Sequence, residues 1–157
     1  MNHLTHAAEL AALFCGGILA GMEIVIHYGL RAPSDTLDAR AQLQLRQALI
    51  YRLRVLVPAV FVPAAVSTIA ATALTASGSG IWFRVASVTA IVLWIVVRIV
   101  GTVPINSATL EWKLDAPPKN WKALVDHAER FHIVGVWAIV VAFATALVAA
   151  AVDRGAW

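Results

Sequence analysis

The chain has 157 residues, of which 61% are hydrophobic and only 13% are charged, with a formal net charge of +3. A soluble domain has roughly 25% charged residues, so this chain cannot cover a water-facing surface, and a soluble globular protein is excluded. The length allows one domain, residues 1–157, and because the basic residues lie beside apolar runs we expect no nucleic-acid partner.

Four apolar runs are each long enough to cross a bilayer, which takes about 20 residues. They cover approximately residues 7–26, 55–76, 81–103 and 131–152. We therefore predict an all-α membrane protein, an antiparallel bundle of four transmembrane helices whose first partner is the lipid bilayer.

The first run is expected to be a retained helix and not a signal peptide, because no Lys or Arg precedes it and no small-residue cleavage site follows it. Near its end, Glu23 and His27 stand four residues apart, so both project from one face of the helix. A charge inside a membrane is costly unless it is paired, which makes the two a candidate functional site. A hydrogen bond between them, or His27 reaching the membrane interface, is the structural alternative.

The connections between the runs differ in length and composition. Residues 34–54 carry apolar side chains at helical spacing, which predicts an amphipathic helix that continues into the second span. Ser77-Gly78-Ser79-Gly80 predicts a tight turn between the second and third spans. Pro117-Pro118 ends one helix and begins the next, and from Lys119 the helical pattern continues into the fourth span. The bundle should therefore carry helical extensions on one side of the membrane.

The basic residues are unequally divided between the two sides. Arg84 and Arg154 fall on one side, and nine basic residues lie in the first and third connections, which share the other: Arg31, Arg40, Arg46, Arg52, Arg54, Lys113, Lys119, Lys122 and Arg130. By the positive-inside rule, both long connections and their helical extensions are cytoplasmic. We expect a multi-pass protein of the cell (inner or plasma) membrane with extracytoplasmic N- and C-termini.

A further charged residue, Arg98, lies about one turn from the cytoplasmic end of the third span. It either reaches lipid phosphate at the interface or pairs with Glu23 inside the bundle. The first would anchor the helix, and the second would form part of a polar site.

At the start of the fourth span, His127 and Arg130 stand three residues apart and share one helical face. We predict that this face meets Glu23 at a common depth, while Glu129 and His132 point elsewhere. Interfacial anchoring is the alternative for His127 and Arg130.

A metal site would have to be built from few residues. Glu23, His27 and His127 would supply two imidazoles and one carboxylate, the set that non-haem iron uses. The paired Glu-x-x-His motifs of di-iron bundles are absent, and the second and third spans contain no histidine for haem. No metal is assigned, and Glu23, His27 and His127 stay open as ligands.

Several short motifs occur together along the chain: Ala20-Gly21-Met22-Glu23, Tyr28-Gly29-Leu30-Arg31, Arg46-Gln47-Ala48, Val103-Pro104-Ile105-Asn106, Trp112, Asp115-Ala116-Pro117-Pro118, Trp121 and Glu129-Arg130. In these motifs nearly the whole chain resembles the anthrone oxygenase-like (DUF1772) membrane proteins. Characterised relatives oxidise an anthrone to an anthraquinone with O₂ and no conventional cofactor. The resemblance implies functional positions at Glu23, Arg46, Asn106, Trp112, Trp121 and Arg130.

The first functional hypothesis is therefore a membrane oxygenase acting on a small lipophilic phenolic or anthrone-like molecule, with O₂ as co-substrate. The candidate catalytic residues, as bases or oxyanion-stabilising cations, are Glu23, His27, His127 and Arg130. The candidate substrate-binding residues are Arg46, Arg98, Asn106, Trp112 and Trp121.

Two alternatives belong to other classes. A non-catalytic scaffold would use the small-residue face at Gly17 and Gly21 to pack on another helix, and a homo-oligomer is one form of this. A small proton-coupled transporter would use Glu23 and His27 as a proton relay.

Overall fold

A computed structural model describes residues 3–76 and 78–155 of the chain. Four helices make up nearly all of this part: α1 (His3–Asp35), α2 (Ala39–Leu74), α3 (Ile81–Leu110) and α4 (Trp121–Asp153). Each is long and apolar enough to cross a membrane, which confirms the predicted all-α bundle of membrane type. Ser77 of the predicted turn lies outside the described residues.

The four helices pack unequally around the bundle. α1 packs chiefly on α2 and α3 chiefly on α4, and α4 also lies against α1. α2 and α3 contact each other less, and a space remains between them near one end. We call this the basic end; it carries the connections 36–38 and 111–120. The opposite end carries the start of α1, the turn between α2 and α3, and the end of α4.

The core consists of small and apolar side chains in the middle of the bundle: Leu19, Ala20, Ala64, Ala90, Ile91, Trp94, Ala138, Ile139 and Ala142. The alanines allow the helix backbones to approach closely, as in other membrane bundles. Large apolar side chains point outward instead, among them Phe14, Val66 and Trp82, and Trp82 is 79% exposed. This inside-out distribution of side-chain size suits a bundle surrounded by lipid.

α2 and α4 begin and end within about five residues of the predicted positions, whereas α1 and α3 continue past the predicted span ends at 26 and 103, to Asp35 and Leu110. α2 begins at Ala39, where the Asp38 carboxylate accepts hydrogen bonds from the amides of Arg40 and Ala41 at 3.0 Å each. It continues without a break to Leu74, as predicted for the amphipathic segment and the second span.

Two helices contain a π turn near the basic end, at Val25–Gly29 in α1 and Arg98–Thr102 in α3. A π turn takes one extra residue and locally widens the helix, and such turns are frequent at functional sites. His27 lies in the first, and Arg98 opens the second. Both π turns therefore carry a candidate site residue.

The π turn in α3 brings Gly101 directly against Phe131 of α4. A Cβ atom at Gly101 would overlap Cβ and Cγ of Phe131, and side-chain rotation cannot relieve an overlap with Cβ. We expect Gly101→Ala to lower the free energy of unfolding by about 1–3 kcal/mol, the usual cost of overpacking. Thermal unfolding of the purified protein in detergent measures this.

Gly135→Ala is the matched control, because a Cβ atom there would meet Trp94 Cδ1 at 3.5 Å, an ordinary van der Waals distance. It should unfold close to the wild-type temperature. Equal unfolding temperatures for the two variants would contradict the close packing at Gly101.

At the opposite end, a buried group of charges closes the bundle. Arg84 of α3 donates hydrogen bonds to Glu9 of α1 and, at 2.7 and 3.2 Å, to Asp153 of α4. Asp153 also accepts from the Gly80 amide at 2.7 Å, and Arg154 lies 3.3 Å from Glu9. We call Glu9, Arg84 and Asp153 the outer clasp; it joins three helices through one guanidinium group.

Candidate functional site

A cavity of about 860 Å³ lies at the basic end, with many of its lining residues on α2 and α3. Residues from all four helices line it, and most of its wall is apolar, including Leu49, Leu53, Phe61, Ile95 and Val103. The polar side chains Arg46, Arg98, Asn106, Glu129 and His132 also line it. A mostly apolar wall with a few converging polar groups is typical of a site for a small organic ligand.

The carboxylate of Glu23 is fully buried and does not itself line the cavity. Arg98 donates to both of its oxygens, and His132 Nε2 lies 2.9 Å from its Oε2. The Arg98 guanidinium also lies over the Trp94 ring, at 5.2 Å from its centroid. Arg98 therefore pairs with Glu23 inside the bundle and does not extend to lipid phosphate.

A second carboxylate, that of Glu129, connects the remaining polar side chains. Its Oε1 accepts from Arg46 Nη1 at 3.2 Å, and Arg46 Nη2 donates to Asn106 Oδ1 at 3.0 Å. Its Oε2 lies 3.4 Å from Nδ1 of His132 and 3.5 Å from Nδ1 of His27. We call these residues, together with Glu23 and Arg98, the polar chain; it crosses the bundle and contains side chains from all four helices.

The structure corrects the predicted face of α4. His127 and Arg130 are exposed, whereas Glu129 and His132, which were expected to point elsewhere, line the cavity. The expectation that His127 and Arg130 meet Glu23 is therefore wrong.

The distribution of side-chain size along α4 explains the correction. Small residues Ala128 and Gly135 share the inward face with His132, whereas Val134 and Trp137, which continue the face of His127, are about half exposed. In lipid, small residues face other helices and large apolar residues face outward. This size pattern was the signal in the sequence that identifies the inward face.

The predicted substrate-binding residues divide into two groups. Arg46, Arg98, Asn106 and the buried Trp121 line the cavity. Trp112 does not line it; its backbone carbonyl accepts a hydrogen bond from Gln47 Nε2 at 2.9 Å. Trp112 thus lies where it holds the connection after α3 against α2.

The structure also changes which residues could bind a metal ion. His27, Glu129 and His132 each present a ligand atom within 4.8 Å of the others. Glu23 lies behind His132 and His127 faces outward, so Glu23, His27 and His127 do not form a joint ligand set. The geometry retains two imidazoles and one carboxylate: His27 stays in the set, and Glu129 and His132 replace Glu23 and His127.

Chemically, the site combines proton acceptors with fixed positive charge beside an apolar space. Two carboxylates flank His132 along a path for protons, and Arg46 and Arg98 can stabilise an anion in the cavity.

No protein-family model, no curated protein and no solved structure matches the chain.

Proposed function

We propose that the protein is a membrane-embedded, oxygenase-like enzyme of the anthrone oxygenase-like group, which oxidises a lipophilic phenolic or anthrone-like substrate with O₂. The observation that carries this proposal is the polar chain at the wall of an apolar cavity. We also propose that the basic end faces the cytoplasm, because nine of the twelve Lys and Arg residues lie at that end, in the helix ends and connections of residues 31–54 and 113–130.

The cavity suits a flat aromatic molecule that reaches the site through the membrane. Much of its wall belongs to α2 and α3, the neighbouring helices that contact each other least, and we propose that the substrate enters between them. Apolar side chains from both helices, such as Leu53 and Ile95, would contact the ring faces. The charged side chains then lie where a carbonyl or phenol oxygen of the substrate would be directed.

The reaction begins with loss of a proton from the activated methylene or phenol of the substrate. Glu129 accepts this proton, and His132 passes it towards Glu23 along the hydrogen-bonded path. The guanidinium groups of Arg46 and Arg98 stabilise the oxyanion that remains. Asn106 can add an N–H bond from its amide nitrogen, because its oxygen already accepts from Arg46.

The resulting carbanion reacts with O₂, and the atoms and electrons of the overall reaction balance. The methylene carbon loses two C–H bonds and gains one C=O bond, a four-electron oxidation. One oxygen atom of O₂ forms that carbonyl group, and the other leaves as water with the two hydrogens. One anthrone and one O₂ thus give one anthraquinone and one water.

Purified protein in lipid nanodiscs, supplied with anthrone in air, tests the proposal by anthraquinone absorbance and O₂ uptake. We expect the wild type to accelerate the oxidation and His132→Gln to lower kcat by about 10²-fold or more, the usual contribution of a positioned acid–base group. Absence of acceleration by the wild type would contradict the proposal.

His127→Gln is the matched control, the same change on the exposed face of α4. It should leave the rate within about twofold of wild type, since His127 does not line the cavity. If both histidine changes lowered kcat equally, the assignment of the proton path to His132 would be wrong.

The packing of α1 argues against the scaffold alternative, in which the small residues Gly17 and Gly21 would pack on a helix of another protein. A Cβ atom at Gly17 would lie 3.3 Å from the Phe143 ring of α4, so that part of the small-residue face already packs inside the chain's own bundle. Gly21 has open space beside it. The face is thus only partly free for a second helix.

A further inference from the structure

The polar chain includes three side chains arranged as metal ligands. Glu129 Oε2 lies 3.5 Å from His27 Nδ1 and 3.4 Å from His132 Nδ1. Two donors bound to one ion at about 2.1 Å stand about 3.4 Å apart in tetrahedral geometry. These two distances suit a first-row transition metal ion, and the donor atoms of the two imidazoles lie within 4.8 Å of each other.

Neighbouring side chains orient two of the donors. The Glu23 carboxylate, 2.9 Å from His132 Nε2, favours the proton on that nitrogen and leaves the Nδ1 lone pair directed towards Glu129. Arg46 holds Oε1 of Glu129 at 3.2 Å, so Oε2 is the oxygen presented to both imidazoles. Carboxylates behind metal-binding histidines are common, because they fix the tautomer and the ring orientation.

His27 supplies an independent observation. It is 7% exposed, and its Nδ1 is buried without a hydrogen-bond partner among residues 3–76 and 78–155. Glu129 Oε2, at 3.5 Å, is within ion-pair distance of this nitrogen but does not form a hydrogen bond with it. A buried ring nitrogen without a hydrogen bond is unfavourable, and a metal ion between the three residues would satisfy it.

We propose that His27, His132 and Glu129 bind one divalent first-row transition metal ion. Two imidazoles and one carboxylate leave coordination positions open, as in catalytic zinc and non-haem iron sites. The open side faces the cavity, since Glu129 and His132 line it. Glu23 and Arg46 are positioning residues for this site.

The ion would take the place of the proton shared by His132 and Glu129, and a phenol oxygen in the cavity could then bind to it directly. Metal binding does not depend on the proposed oxidation, so either proposal can fail alone. Oxidation of anthrone by protein freed of metal would leave the proposed function in place, whatever the metal titration shows.

Titration of tag-free protein in detergent with Co²⁺, followed by visible absorption and by competition with Zn²⁺, tests the site. We expect one ion per chain. His27→Ala should weaken binding at least tenfold and keep the fold, because the replaced Nδ1 makes no hydrogen bond within the described residues. Glu23→Gln should weaken binding by about 10–100-fold, the usual effect of losing a partner behind a ligand.

The double variant His3→Ala/His6→Ala is the control, since it removes two histidines at the opposite end of α1. It should bind Co²⁺ as the wild type does. If His27→Ala fails to fold, a Zn²⁺-dependent rise in Tm that is present in wild type and lost in Glu129→Gln supports the site. No binding near one ion per chain, or unchanged affinity in the folded His27→Ala or Glu129→Gln variant, would overturn the proposal.

Discussion

Replacing Arg98 by methionine should lower the free energy of unfolding by about 3 kcal/mol or more. The change removes the guanidinium group that donates to both oxygens of Glu23, a carboxylate with no exposure to solvent. Breaking a buried ion pair from one side typically costs 3–5 kcal/mol, because the remaining charge stays buried without its partner. Equilibrium unfolding in mixed detergent micelles, compared with wild type, measures the loss.

Two further variants distinguish this cause from general damage. Arg98→Met/Glu23→Gln removes both charges and should be more stable than Arg98→Met alone, because no uncompensated carboxylate remains. Arg52→Met, the same substitution at an exposed position of α2, should cost no more than about 0.5 kcal/mol. A double variant that is less stable than Arg98→Met would show that the pair is not what stabilises this region.

The outer clasp should be still more sensitive to the loss of its cation. Arg84→Met leaves Glu9 and Asp153, both buried carboxylates, facing the same site without the guanidinium group between them. We expect a loss of about 4 kcal/mol, at the upper part of the range for a broken buried pair. The same detergent unfolding experiment measures it.

Arg84→Lys keeps the positive charge but cannot donate from the planar group that now contacts both carboxylates, so an intermediate loss is expected. Arg154→Met is the matched control: Arg154 also contacts Glu9, but its side chain is 48% exposed, and its loss should cost less than about 1 kcal/mol. Equal losses for Arg84→Met and Arg154→Met would contradict the special role of the buried position.

The helices were predictable from the sequence because length and hydropathy leave few other structures for runs of this kind. The span ends differ from the helix ends because hydropathy reports the part in lipid, whereas helix α2 continues beyond it to a cap at Asp38. The π turns were not predictable, since one extra residue in a turn changes neither composition nor hydropathy.

The candidate site could be predicted only in part. Glu23, His27 and Arg98 are ionisable residues in apolar runs, and this singled them out. On α4, both faces carry ionisable residues near the interface, so charge alone could not choose between His127 and His132. The sizes of the other side chains on α4 distinguish the two faces, because the small residues lie on the same face as His132 and small residues face other helices in a membrane bundle.

The outer clasp was missed for a different reason. Arg84 and Asp153 lie near span ends, where membrane proteins commonly carry charges that interact with water. Sequence alone does not show that these two side chains turn inward, or that they meet Glu9, since 75 residues separate Glu9 from Arg84.

The ion pairs of α1 have a consequence for biogenesis. Glu9 and Glu23 are synthesised first, but their buried guanidinium partners belong to α3, 75 residues later in each case, and His132 of α4 follows 109 residues after Glu23. An acidic side chain in an isolated helix in lipid is unfavourable, by as much as about 2.5–3.5 kcal/mol where it lies at the helix centre. The two carboxylates of the first helix therefore gain their guanidinium partners only after α3 has been translated, and α1 and α2 form a lasting unit in the bilayer only once α3 has joined them.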